Sequence, residues 1–272
     1  MMNNKAVVVI TGGSSGLGKA LAERFIDDGA DVALIARNAG KLNTVKARLA
    51  TQLQGQQKLE GFSCDVADVD ACAATFAAIE QTLGAPTLLI NSAGVLNEGY
   101  FDHLSLDDFR YTMEVNYFGA INVIHAALPY FDRNGGGCII NIASLAGKFG
   151  GFGYAAYCGS KYAMVGLSDT LRLELKPRNI KVQLVCPGEF ETPMTQALEG
   201  QRSAENIAIT QTIPPMTLNH VADKVFAGIQ RGSYLIVPGR IPRLLEWLNR
   251  TLPAAMRWAF DSKLKKIYQG PK

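Results

Sequence analysis

Residues 6–10, Ala-Val-Val-Val-Ile, form an unbroken apolar, β-branched run of the kind that fills a strand buried on both faces of a parallel sheet. Comparable runs recur, and the pattern predicts strands at about 6–11, 31–36, 58–64, 87–91, 138–143, 180–186 and 234–237. Between them apolar residues return at helical spacing, as at Leu21, Phe25 and Ile26 ahead of Gly29, with long helices expected near 105–131 and 155–176. Regular alternation of strand and helix implies right-handed crossovers. The expected fold is therefore α/β, a doubly wound Rossmann-type parallel sheet of about seven strands with helices on both faces. Ligands of such sheets gather at the carboxyl ends of the strands. No linker or low-complexity break interrupts residues 1–239, which read as a single dinucleotide-binding and catalytic domain. Residues 240–272 read as a basic amphipathic extension.

The first strand runs directly into Thr11-Gly12-Gly13-Ser14-Ser15-Gly16-Leu17-Gly18 and then into a helix. Strand, glycine-rich turn and helix make a dinucleotide cradle. Glycines let backbone approach a pyrophosphate, and the free N–H groups at the helix start attract it. Residues 13–19 also fit the G-x-x-x-x-G-K core of a nucleoside-triphosphate loop. That loop needs Ser or Thr next to hold Mg²⁺, and position 20 is Ala.

Tyr157 follows Ser144 by thirteen residues and precedes Lys161 by four, so phenol and ammonium share one face of a predicted helix. A phenol titrating near 10 must move by about 3 units, roughly 4 kcal/mol, to exchange protons near neutrality. One charge about 4 Å away at an effective dielectric of about 20 supplies a similar amount. Taken alone, Tyr and Lys at this spacing are an ordinary surface pair. Beside a dinucleotide cradle they become a candidate acid with its tuning cation, and Ser144 a second donor to the same substrate oxygen.

Composition narrows the class. At 272 residues, 48% hydrophobic and 19% charged, the chain is globular with a sizeable core. Cys64, Cys72, Cys138, Cys158 and Cys186 are odd in number and unclustered, which fits reduced thiols, no metal and a cytoplasmic setting. No signal peptide is evident, and no apolar run approaches the roughly 20 residues of a spanning helix. A nucleic-acid partner is not expected.

With these residues assembled, the chain resembles the short-chain dehydrogenase/reductase family over nearly its whole length. The family's T-G-x-x-x-G-x-G stands at 11–18 and its P-G plus Thr at Pro187, Gly188 and Thr192. Its N-N-A-G appears as Asn91-Ser92-Ala93-Gly94, a departure at the second position. The resemblance implies a cofactor site built from Thr11, Gly12, Ser14, Ser15, Gly16, Leu17 and Gly18. Arg37, Asp65, Val66, Asn91, Ala93 and Gly94 would extend it, with Asp65 as an adenine contact. Tyr157, Lys161, Pro187, Gly188 and Thr192 would close it. The family's catalytic Asn, Ser, Tyr and Lys match Asn116, Ser144, Tyr157 and Lys161.

By that resemblance hydride passes between nicotinamide and a carbonyl carbon while Tyr157 carries the proton and Ser144 polarises the carbonyl. Lys161 lowers the pKa of Tyr157 and holds the ribose, and Asn116 positions a water linking Lys161 to solvent. Read from its surroundings alone, Asn116 would be a polar residue capping backbone within helix 105–131. The resemblance also implies a homodimer or homotetramer, paired through the two long helices, with Leu167, Leu171 and Leu175 continuing an apolar stripe.

Cofactor choice is written at the end of the second strand. An NAD-type site wants an acid there for the ribose 2′-hydroxyl, whereas a basic residue suits a 2′-phosphate. Ala36 and Arg37 occupy the place, which favours NADP(H) and reduction. For substrate, the loop after Ser144 carries Phe149, Phe152 and Tyr154, and a lid at about 189–218 carries Met194, Leu198, Ile207, Ile209, Ile213 and Met216. An apolar lid over an aromatic cleft suits a hydrophobic ketone. Residues 11–19, 36–38 and 150–161 resemble the branch of 3-ketodihydrosphingosine reductases, NADPH-dependent enzymes that reduce a long-chain 3-ketone. That branch commonly carries Pro-Pro-Asp where this chain has Pro187-Gly188-Glu189. Alternatives are a small ketone, a steroid or a 3-oxoacyl thioester as substrate, or a dinucleotide-binding regulator without chemistry.

Charge sets the tail apart. Residues 240–272 hold eight Lys or Arg against two acids, a net +6 in a chain whose total is +3. Ile241, Leu244, Leu245, Leu248 and Leu252, then Met256, Phe260, Leu264 and Ile267, run at helical spacing, with Trp247 and Trp258 nearby. Such a segment either lies peripherally in a membrane interface or packs on its own domain or a partner.

Overall fold

Every residue of β1 (Val7–Thr11) is buried, as its unbroken apolar run requires. Val8 and Ile10 point into one hydrophobic cluster, Val7 and Val9 into another. The strand thus feeds two cores, one on each face. A computed structural model describes residues 6–198, 200–210 and 214–269. After β1 come α1 (Gly16–Asp27), β2 (Asp31–Ala36), α2 (Ala39–Ala50), β3 (Leu59–Ser63), α3 (Val69–Leu83), β4 (Leu88–Asn91) and α4 (Leu106–Met113). Then follow α5 (Gly119–Arg133), β5 (Gly137–Ile142), α6 (Ala155–Glu174), β6 (Ile180–Val185), α7 (Pro193–Gln196), α8 (Ala204–Thr210) and α9 (Leu218–Gln230). β7 (Leu235–Ile236), α10 (Arg240–Thr251) and α11 (Pro253–Gln269) complete the order.

The seven strands form one sheet in the order β3-β2-β1-β4-β5-β6-β7, with every pairing parallel. Strand order reverses between β1 and β4, and the carboxyl ends there open a crevice. One core packs Leu21 and Ile26 of α1 and Val221 and Val225 of α9 against the sheet. The other packs Phe76 of α3 and Val123 and Phe131 of α5 against its opposite face. Each such side chain stabilises the fold by about 1.5–3 kcal/mol. All seven strands fall within a residue or two of their predicted limits.

The helix expected over 105–131 is interrupted. A π-helical turn, Glu114–Phe118, joins α4 to α5 and carries Asn116. Along α6, Leu167, Leu171 and Leu175 face the chain's own core. Leu175 is buried, and Leu167 and Leu171 pack partly buried against the chain's own clusters. Leu106, Tyr111, Phe118, Tyr162 and Leu173 are apolar or aromatic groups that these helices expose.

The tail packs on its own domain. Asn249 Nδ2 donates to the Lys148 carbonyl at 2.8 Å, Met256 is buried, and Phe149 and Phe260 set their ring centroids 5.8 Å apart. In the lid, α7 and α8 form, and the Phe190–Met216 bridge ties its two ends. Ile213 lies outside the described residues. No helix among them is long and apolar enough to cross a membrane.

Candidate active site

The glycine turn owes its shape to crowding. Gly12 adopts φ +66°, and a Cβ there would come within 2.8 Å of the Ser92 carbonyl oxygen. A Cβ on Gly18 would come within 2.6 Å of the Gly12 oxygen, so α1 lies directly on the turn. Ser15 precedes α1 in extended conformation with no side-chain cap, and Gly12, Ser15, Gly16 and Leu17 line a cavity of about 270 Å³. Uncapped helix-start N–H groups beside a glycine turn are the donor set a pyrophosphate needs. Gly94, Pro187, Gly188 and Thr192 line the same cavity. A nicotinamide dinucleotide fits these residues.

Several predicted contacts support the cradle from behind. Thr11 is buried, and its Oγ1 accepts from the Ser92 and Ala93 N–H groups, both at 3.0 Å, tying β1 to the loop after β4. Asn91 donates to Asn141 Oδ1 at 2.9 Å across the β4–β5 ladder, and Asn141 donates on to Ser168. Asn91 Oδ1 is left buried without a partner. The Val66 side chain is buried against Gly119. Ser14 and Gly18 flank the turn outside the cavity lining.

Arg37 and Asp65 stand at the ends of β2 and β3, beyond the cavity. Arg37 Nη1 donates to the Tyr111 hydroxyl at 2.6 Å and lies 3.9 Å from Asp65 Oδ2, with half its side chain exposed. The bond to Tyr111, more than the Asp65 charge, raises the Arg37 pKa. The guanidinium is thereby held at the strand end as a fixed cation.

Ser144, Tyr157 and Lys161 come together at the inner end of the cavity. Ser144 ends the loop after β5 and accepts from the Ala146 N–H at 3.1 Å. Tyr157 and Lys161 are one turn apart on α6, with Lys161 Nζ 5.6 Å from the Tyr157 ring centroid. The ammonium does not reach the phenol oxygen. It donates to the Ile142 carbonyl at 2.9 Å. Burial pushes Tyr157 above the ordinary phenol range, against the pull of the Ser144 hydroxyl, and pushes Lys161 down to about 8. The expected lowering of Tyr157 by Lys161 is therefore not the dominant effect here. Both groups share one dry corner, where desolvation penalises each charge.

Asn116 takes the backbone-holding role. Its Oδ1 accepts from the Val95 N–H at 2.7 Å, while Nδ2 donates to the Val95 carbonyl and to Ser160 Oγ, each at 2.9 Å. A Cβ on Gly94 would lie 3.1 Å from Asn116 Oδ1 and 3.8 Å from Lys161 Nζ, so the two residues flank one glycine.

Beyond this corner the walls are apolar: Leu96, Phe149, Met194 and Ile209, together with Leu245 and Phe260 from α10 and α11. The sequence shows the tail's stripe but not what it faces. One ion pair interrupts the lining, Arg202 Nη1 to Glu189 Oε1 at 2.7 Å, in the lid. No motif signals Arg202.

A parallel sheet with this strand order, the glycine turn at its switch point and the Ser-Tyr-Lys corner define a nucleotide-dependent dehydrogenase. The chain belongs to the short chain dehydrogenase family, whose model matches residues 6–203. A 3-dehydrosphinganine reductase of Danio rerio is 35% identical over 216 residues, covering 76% of this chain. The chain spans 65% of that relative's length. A dehydrogenase/reductase SDR family member 7B of Mus musculus is 31% identical over 96% of this chain and 82% of its own. A Sphingobium yanoikuyae short-chain dehydrogenase in complex with NADPH superposes at TM-score 0.74 with 27% identity, covering 98% of this chain and 96% of that one. A Burkholderia phymatum homologue in complex with NAD shares the fold at TM-score 0.80 and 24% identity, covering 92% and 94%.

Proposed function

We propose that this chain is an NADPH-dependent reductase of hydrophobic, long-chain ketones, with a 3-keto sphingoid base as its best-fitting substrate class. The observation that carries the reading is a single cavity with Ser144, Tyr157 and Lys161 at one end and six apolar walls at the other. A bound nicotinamide dinucleotide supplies the hydride. Gly12, Gly16, Leu17 and Thr192, which line the cavity, would hold its phosphates and Lys161 would hold its ribose. Tyr157 is protonated at neutral pH as any phenol is, and because burial raises its pKa further, its donation of the proton depends on groups that stabilise the phenolate. Its O–H gives the proton to the carbonyl oxygen, Ser144 donates a hydrogen bond to the same oxygen, and the Lys161 ammonium above the ring stabilises the phenolate left behind. Asn116 keeps the 94–95 backbone in place beside Lys161.

Arg37 supports NADPH over NADH, since no acid replaces it at the β2 end. The names of the Danio relative and its kin support the sphingoid class. Cofactor consumption measured with NADPH and with NADH, over 3-ketones graded by chain length, tests the whole reading. The expected kcat/KM rises with chain length and is larger with NADPH. Turnover confined to short polar ketones would remove the substrate class while leaving the oxidoreductase intact. No turnover with either cofactor would remove both.

A further inference from the structure

α10 and α11 have two unlike faces. On the inner side, Pro242 lies over Gly188, Asn249 is bonded to the Lys148 carbonyl, Met256 is buried, and Leu245 and Phe260 line the cavity. On the outer side, Leu244 and Trp247 stand one turn apart and exposed, and Trp258 is 72% exposed on the second helix. Arg243 and Arg250 repeat seven residues apart beside Trp247, and on the second helix Arg257 adjoins Trp258 while Lys265 and Lys266 follow it two turns on; all five are exposed. Among the described residues none of these five cations forms an ion pair within the chain. The only acids on the two helices are Glu246 and Asp261.

We infer that this outer face is a docking surface for an anionic lipid bilayer. Two features favour lipid over a protein partner. Protein interface cores are depleted of charged residues, lysine above all, whereas here cations are interleaved with every exposed aromatic group. Tryptophan flanked by Arg and Lys is the composition that settles at headgroup depth, the ring among the acyl chain ends and the cations on phosphate. The position of the face adds a third argument. Leu245 and Phe260 belong to the same two helices, so a bilayer on the outer side lies one helix thickness from the apolar cavity. An apolar substrate would pass between them without crossing bulk water. The inference goes beyond the reductase reading and stands on the tail's geometry alone.

The chain's two tryptophans, Trp247 and Trp258, both lie on this face, so intrinsic fluorescence reports on it alone. The test mixes the full-length protein with phosphatidylcholine vesicles, with and without about one third phosphatidylserine, and follows flotation and tryptophan emission. Binding to the anionic vesicles with a blue shift is expected, weakening as salt shortens the Debye length from about 10 Å at 0.1 M to about 3 Å at 1 M. Arg243→Gln with Arg250→Gln is expected to lower the partition coefficient roughly thirtyfold, since each cation near such a surface contributes about fivefold. Trp247→Glu with Trp258→Glu is expected to abolish binding while thermal unfolding stays cooperative. Failure of the unmutated protein to float with anionic vesicles overturns the inference. So does binding that neither shifts the emission nor responds to the two double variants. A blue shift that rises with protein concentration in the absence of lipid would assign the face to a second copy of the chain and equally overturn it.

Discussion

Replacing Lys161 with Met is expected to stabilise the unliganded protein while silencing it. Burial takes the ammonium from 10.5 to about 8. At roughly 1.4 kcal/mol per pH unit, keeping it charged inside the fold costs about 3 kcal/mol below pH 8. The unfolded chain holds the same proton up to about pH 10.5. Between those limits the unfolded state binds more protons, so stability rises with pH across the window as the folded protein sheds the charge. Met keeps most of the stem and removes the ammonium. The Ile142 carbonyl then loses its 2.9 Å donor, at a cost of about 1 kcal/mol. The variant should therefore exceed the unmutated protein by about 2 kcal/mol near pH 7, and the gap should close as pH approaches 10. Urea unfolding of both proteins without cofactor, at several pH values from about 6.5 to 9.5, measures this difference and cancels every other titrating group. A difference that stays constant with pH would refute the desolvated ammonium, whatever its sign.

Four other outcomes can be checked. Tyr157→Phe should abolish reduction while leaving NADPH affinity within a few fold, and near-normal turnover would sink the proton-transfer step. Arg37→Ala should cost about 1.5–3 kcal/mol in NADPH binding and little in NADH binding, which erases a preference of roughly ten- to a hundredfold in kcat/KM; equal use of both cofactors by the unmutated protein would refute the assignment. Gly12→Ala, forced into left-handed backbone 2.8 Å from the Ser92 oxygen, should destabilise by at least 1–2 kcal/mol and weaken cofactor binding, as read by thermal shift with and without NADPH. If subunits pair through α4–α6, Tyr162→Glu should yield monomers in sedimentation, and an already monomeric unmutated protein would rule the pairing out.

How far these features could be read in advance depended on what kind of signal carried them. The strands were legible because a doubly covered parallel sheet demands unbroken apolar runs, as in Val7 to Ile10. The glycine turn was legible because only residues without Cβ fit between β1, α1 and Ser92. Periodicity, by contrast, tells that a helix has an apolar face and not what the face meets. Leu167, Leu171 and Leu175 turned inward, and the tail's Leu245 and Phe260 became cavity wall. The spacing of Tyr157 and Lys161 correctly implied proximity. It carried no information about dielectric, and burial proved the larger influence on both groups. The π-helical turn left no mark because one extra residue barely disturbs the apolar rhythm over 106–133.

That turn has a consequence for how the chain tolerates length changes. Glu114–Phe118 holds one residue more than an α-helix would use over the same rise, and Asn116 sits within it. Deleting one residue there would restore regular α-helical hydrogen bonding. The helices on either side would keep their phase, because the widened turn absorbs the surplus residue within itself and passes no rotation on. The loss would fall on the backbone that aims Asn116 at Val95 and Ser160, while Val123 and Phe131 stayed in the core. The surplus residue works as a local bulge that re-aims one side chain inside an otherwise continuous helix. The segment is therefore more tolerant of a change in length than position 116 is of a change in geometry.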